Sequence, residues 1–444
     1  MTEIDRTARN RVDTAVEALT DDAVAFASDL VTERSVQGDE APVQSRVRDK
    51  LNEIGLDVRT LEAHEVAGIE DHPEYSDTGE PYDDRPNVIG TREGSGDGRS
   101  LLFNGHVDVV PEGDAEQWSF DPFSGDVEDG KLIGRGASDM KGGVAAMVYA
   151  LEALDRAGVE LLGDVTVESV IEEEAGGYGG TLATVLDDDA ADVDAVVIPE
   201  PTDFDMWIAN DGVSYFRVTV EGKSAHAAET DNGVNAISKL VPIYRALEAL
   251  HDERKESVHD DLFEQWHEHT VSLNLGTLHA GEWASSVPDE AVLEARISHA
   301  PDETREEIHD VVEETVRRAA DGDPWLDDHP PAVEWFGWRG SSAKISPDEE
   351  IVTTVQDVMA AEFDRESHAK GFPGGIDSRF FVNYADTPAV CFGPGDYNIH
   401  GTDEYLPVED LVETTKALAF LAMEWCGYEL DERASDLDAS EAAE

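Results

Sequence analysis

Val165-Thr166-Val167-Glu168-Ser169-Val170-Ile171 runs straight into Glu172-Glu173-Glu174 and the pair Gly176-Gly177, and a second apolar run closes on Glu200-Pro201-Thr202. The short apolar run predicts a buried strand. A strand that stops at adjacent carboxylates sets anions at the edge of a core, where they repel one another unless a cation or a shared proton compensates. A hard or borderline metal ion is one such compensation; a solvated acidic turn is the alternative.

Upstream, Ser100-Leu101-Leu102-Phe103-Asn104 enters the core and ends at Gly105-His106-Val107-Asp108-Val109-Val110-Pro111. In an extended segment His106 and Asp108 point to the same side, so the aspartate can accept a hydrogen bond from the imidazole and orient it. Next, Lys131 to Gly136 leads to Ala137-Ser138-Asp139-Met140-Lys141-Gly142-Gly143 and an apolar helix through Val144, Met147, Val148, Leu151 and Leu154. Asp139 falls at the helix start, as a cap or as a ligand. Strands alternating with helices imply a doubly wound α/β sheet, mostly parallel, with ligands gathered beyond the carboxyl ends of the strands. His106, Asp139, Glu173, Glu174 and Glu200 all fall there.

From Gly212 the order becomes strand, helix, strand, strand, helix, strand, that of a ferredoxin-like α+β unit. Residues 212–338 therefore read as an inserted second domain, with 1–211 and 339–444 as the first. Within the insert His226 lies in a small-residue turn. After it come the glycine-rich loop Gly371 to Arg379, then the strand Ala389 to Phe392, which runs into Gly393 to Glu404 and carries His400. Glu70 to Pro86 reads as an exposed insertion. Glu429 to Glu444 reads as a disordered acidic tail, within a first domain ending in a helix to about Trp425.

The 100 acidic and 32 basic residues give a net charge of −68. Such a surface repels phosphates, which excludes nucleic acid and anionic membranes as partners, and needs salt to screen it, which points to a halophilic source. With no apolar run of membrane-spanning length and no basic-then-apolar start, the chain reads as cytoplasmic. Two cysteines, Cys391 and Cys426, build neither a disulfide framework nor a cysteine zinc site. A set of two histidines and several carboxylates suits zinc, cobalt or manganese. It exceeds what one catalytic zinc takes and is enough for two divalent ions sharing a carboxylate.

Gly105 to Pro111, Gly134 to Gly143, Glu172 to Gly177, Glu200-Pro201-Thr202 and Asn398-Ile399-His400-Gly401 resemble the successive metal-site motifs of the M20 metallopeptidase family. That family includes acetylornithine deacetylase, succinyl-diaminopimelate desuccinylase, aminoacylase and glutamate carboxypeptidase. The resemblance implies a zinc-exopeptidase-like mixed-sheet catalytic domain and an inserted lid that also forms a homodimer. It implies Asp139 as the bridge between two metals, His106 and Glu200 completing one site and Glu174 and His400 the other. Glu173 would be the general base, with an extended backbone turning it toward substrate and Glu174 toward metal, and Asp108 would orient His106. His226 would reach the partner subunit's active site and polarise the scissile carbonyl, and Arg296 and Arg379 would hold a substrate carboxylate. Ser285-Ser286-Val287-Pro288 departs from the asparagine the family often carries before the third lid strand. The implied activity is hydrolysis of the amide of an N-acyl amino acid, of acetylornithine or succinyl-diaminopimelate type. A dipeptidase or carboxypeptidase with the same chemistry is the alternative, and a silent binding homologue a further one.

Overall fold

Val165–Val170 and Leu101–His106 are buried along their whole lengths, as strands covered on both faces must be. In the computed structural model, which describes residues 4–189 and 192–431, they lie side by side and parallel at the centre of a nine-stranded mixed sheet. The order across it is Asp57–Leu61, Asn87–Arg92, Val165–Val170, Leu101–His106, Val196–Ile198, Ala389–Cys391, Met206–Asn210 and Ala343–Lys344, with Ala369–Phe372 also paired to Met206–Asn210. The four central strands from Val165–Val170 to Ala389–Cys391 run parallel, while the flanking Asn87–Arg92 is antiparallel. Their carboxyl ends therefore open on one edge, and the residues that follow them converge there.

Helices Arg6–Thr32, Gly142–Arg156, Glu350–Phe363 and Val408–Cys426 share one large apolar core with the sheet. Thr181–Leu186 and Ser378–Tyr384 supply smaller clusters that include Leu182, Ala183, Phe380 and Phe381. Helices on two faces leave the strand ends as the place where polar groups can meet.

Gly212–Glu221, Leu273–Ala280, Glu290–His299 and Ala332–Gly340 form a separate antiparallel sheet, in the order Leu273–Ala280, Glu290–His299, Gly212–Glu221, Ala332–Gly340. Helices Ala236–Ser257 and Arg305–Ala320 pack with it around a core of their own. This is the ferredoxin-like arrangement expected from the element order.

Three expectations need correction. The stretch from Glu70 to Pro86 is exposed at most positions but is anchored rather than free: Glu74 is wholly buried and Arg85 nearly so. The Glu74 carboxylate accepts hydrogen bonds from the Ser341 amide and hydroxyl and from the Tyr384 hydroxyl, which ties this segment to the junction between the two sheets. Asp139 does not cap a helix: the helix begins at Gly142, and Asp139 has extended dihedrals in the irregular turn before it. At the far end, Tyr428–Leu430 pairs with Val159–Leu161, so the first residues of the supposed tail form a strand. Residues 432–444 lie outside the described residues.

Candidate active site

Each candidate ligand owes its place to the end of a strand or to the turn after one. His106 is the last residue of Leu101–His106, Glu200 follows Val196–Ile198, and Glu173 and Glu174 follow Val165–Val170. Asp139 comes from the turn before Gly142–Arg156, and His400 from the loop after Ala389–Cys391.

Asp139 faces two histidines with its two oxygens. Oδ1 lies 3.3 Å from His106 Nε2 and Oδ2 lies 3.3 Å from His400 Nε2. Glu200 Oε1 is 3.8 Å from His106 Nε2, and Glu174 Oε2 is 3.0 Å from His400 Nε2. Thus His106, Asp139 and Glu200 form one group of potential ligands and Asp139, Glu174 and His400 a second, with ligand atoms in each within 4.8 Å of one another. The first group is buried, whereas the His400 side chain is 54% exposed. Glu173 stands beside them, its Oε2 4.0 Å from His106 Nε2.

The electrostatics show a surplus of negative charge. Burial raises Glu200 to about 8 and Asp108 to about 8, each only partly relieved by His106. Glu173 is pushed well above the carboxylate range, by burial first and by Asp377, Glu200 and Glu174 nearby. Hydrogen bonds to Asp139 and Glu174 lift His400 to about 10. Burial opposes charge on His106 but is outweighed by its hydrogen bond to Asp139 and by the surrounding carboxylates. Burial would raise Asp139 too, yet the two histidines hold it low. Cations placed among these oxygens would remove the repulsion, so the donor set fits divalent metal.

The backbone around Glu173 differs from the extended form expected. Glu172 takes a left-handed conformation (φ 68°), and Glu173–Ala175 is a short 3-10 turn. The turn is held from two sides. Below it, the Asp108 carboxylate accepts the amides of Glu173 and Glu174, Oδ1 and Oδ2 each at 3.1 Å. Asp108 orients His106 chiefly through its carbonyl, 2.9 Å from Nδ1, while its Oδ1 is 3.6 Å away. Behind the turn, the buried Glu172 carboxylate accepts from the Tyr82 hydroxyl at 3.0 Å and the Gly179 amide at 3.2 Å. Arg85 lies 3.5 Å from Glu172 and is bidentate on Glu40 at 2.6 and 2.8 Å. Sequence reasoning named Asp108 only for His106 and missed Tyr82, Arg85 and Glu40, which lie far from Glu172 along the chain.

The remaining candidates lie elsewhere. Arg379 is fully buried and donates to the carbonyls of Ile376 and Gly176 at 2.8 and 2.6 Å, holding the turn that follows Glu174. Arg296 reaches from the second sheet to the Pro373 carbonyl at 3.3 Å and the Ser272 hydroxyl at 3.1 Å, bridging it to the glycine-rich loop. His226 is exposed in a loop of the second unit, its Nδ1 accepting the Ala228 amide.

Residues 102–424 match peptidase family M20/M25/M40, and the chain belongs to that family, a class of metal-dependent hydrolases. Among its relatives, the N-formyl-4-amino-5-aminomethyl-2-methylpyrimidine deformylase of Bacillus subtilis is 30% identical over 406 residues, covering 86% of this chain and 89% of that one. Succinyl-diaminopimelate desuccinylase of Cupriavidus necator is 28% identical over 403 residues, covering 87% and 94%. Of the solved structures, a tripeptidase from Staphylococcus aureus superposes with a TM-score of 0.69 at 21% identity, over 91% of this chain and 98% of that one. A dinuclear metal-binding M20 peptidase from Bacillus subtilis gives 0.61 at 19% identity, over 92% and 99%. These two likenesses support the fold.

Proposed function

We propose that the protein hydrolyses the amide of a small N-acyl compound at a centre of two divalent ions, with Glu173 as general base. The observation that carries this reading is Asp139, whose two oxygens serve two separate groups of ligands. Zinc is the first candidate, with cobalt and manganese as alternatives; when bound, such ions supply an activated water and polarise the acyl carbonyl. His106, Asp139 and Glu200 would hold one, and Asp139, Glu174 and His400 the other.

The chain's own part is to position groups and move protons. Asp108 fixes the Glu173 and Glu174 amides, so base and ligand keep a constant spacing. Glu173 takes the proton of the attacking water and delivers it to the leaving amine, a task for which its place beside His106, with Oε2 4.0 Å from Nε2, is suited. The deformylase and desuccinylases among the relatives remove acyl groups from amines, which favours deacylation over peptide cleavage. Formyl joins succinyl and acetyl as the acyl groups to consider.

Residues 212–338 would serve as lid and dimerisation domain, with His226 offered to the active site of the partner subunit. Its exposure, together with that of Trp283 (70%) and Leu278 (45%) on the same unit, supports this part of the proposal. Arg296, which bridges to the loop at Pro373, would take a substrate carboxylate; Arg379 would support the turn instead.

The test is a screen of N-formyl, N-acetyl and N-succinyl amines in high salt with zinc or cobalt. Turnover of at least one series, lost on chelation and restored by metal, is expected. Dipeptide cleavage with no deacylation would reverse the preference between the two activities.

A further inference from the structure

Glu404 stands four residues after His400, at the end of the same loop, and is fully buried. Its Oε1 accepts the amides of Ser138 at 3.1 Å and Asp139 at 3.2 Å. Its Oε2 accepts Nη1 of Arg135 at 2.5 Å. Arg135, 2% exposed, turns its other nitrogen Nη2 to the carbonyl of Gly401, the residue after His400, at 2.8 Å. The Gly134 amide donates to the Glu404 carbonyl at 3.0 Å, and Tyr405–Pro407 pairs with Lys131–Ile133. One ion pair is thus stitched to the backbone on both sides of the centre. It grips the peptide of Asp139 with one partner and the peptide beside His400 with the other.

We infer that Arg135 and Glu404 are a positioning pair that sets the separation of Asp139 from His400, and with it the affinity and geometry of the ion held by Asp139, Glu174 and His400. The inference rests on the two-metal reading given above. Glu174, the third ligand of that ion, is fixed independently by Asp108, and His106 and Glu200 make no contact with the pair among the described hydrogen bonds. A buried carboxylate next to Asp139 adds to the local negative charge and persists only when paired, which Arg135 accomplishes. Arginine suits the task because its planar fork addresses a carboxylate and a carbonyl at fixed angles. Groups behind metal ligands tune affinity about 10- to 100-fold when altered.

The experiment is a titration of the full-length, metal-stripped protein in high salt with Co2+, following the visible absorption of each bound ion. Wild type, Glu404→Gln and Arg135→Lys are compared, and His400→Ala identifies which ion belongs to the His400 site. Near-ultraviolet circular dichroism checks folding. Expected are two ions in wild type, and in both variants a His400-site ion bound about 10- to 100-fold more weakly with an altered spectrum, the other ion, which shares Asp139 but not His400, weakened by a smaller factor. If Glu404→Gln does not fold, Arg135→Lys decides alone. Folded variants that bind the His400-site ion as wild type does, with the same spectrum, overturn the inference. Equal weakening of both ions does so too, since it marks a general loosening. A wild-type protein that takes fewer than two ions overturns the two-metal reading itself, and the inference with it.

Discussion

At the residue scale, one run of three glutamates divides into three tasks. Glu174 faces His400, Glu173 faces the space beside His106, and Glu172 turns away into a buried network with Tyr82, Arg85 and Glu40. Glu173, Glu174, His106, Asp139 and Glu200 were legible as candidates because each falls just past an apolar run, and His400 through its family-like motif Asn398-Ile399-His400-Gly401. Glu172 was not, because its partner Arg85 lies 87 residues away and nothing local marks the pairing. The same holds for Glu404 and Arg135. Arg85→Met would leave Glu40 and Glu172 buried without a counter-charge, a change that costs about 3–5 kcal/mol. Urea unfolding in high salt should show a loss of that order; a loss below about 1 kcal/mol would mean that the network does not hold the turn.

At the element scale, the turn after Val165–Val170 depends on glycine. Gly177 has φ 70°, and a Cβ there would collide with Asp377 Oδ1. Gly177→Ala should therefore displace the Glu173–Ala175 turn and lower kcat by a factor of about ten or more, on the scale of misplaced catalytic groups; steady-state kinetics at saturating metal measures it. The second unit was legible from strand and helix periodicity alone, since its order of elements is the topology. Glu70 to Pro86 was not, because turn-forming composition marks irregular backbone and leaves burial open. There the partners Ser341 and Tyr384 decide, hundreds of residues downstream.

The junction between the two units offers a pH test at the same scale. The His299 ring packs where a Cβ on Gly212 would fall, and burial lowers its pKa from 6.5 to about 4. Since the folded state disfavours the charged ring, His299 contributes full stability above pH 6.5 and loses it as pH falls toward 4, by on the order of 3 kcal/mol. Relative to His299→Gln, the wild type should lose stability between pH 7 and pH 4.5 in unfolding titrations. A constant difference across that range would contradict the assignment.

At the scale of the whole molecule, the net charge of −68 dominates. Screening shortens from about 10 Å at 0.1 M salt to about 3 Å at 1 M, so repulsion between neighbouring carboxylates fades over that interval. The melting temperature should rise steadily with KCl concentration; a flat response would remove the basis for reading the charge as an adaptation to salt. Among the described residues no helix is long and apolar enough to cross a membrane. The ligand groups, by contrast, are positioned by strand ends and buried supports, and their geometry is a property of the fold rather than of the surface charge. Replacing Glu173 with Gln in the metal-loaded protein tests this most directly, with turnover of an accepted N-acyl substrate and metal content measured on one preparation. Turnover should fall by a factor of about 100 or more while metal content stays near two ions per chain; unchanged turnover with both ions in place would contradict the assignment of Glu173 as the base.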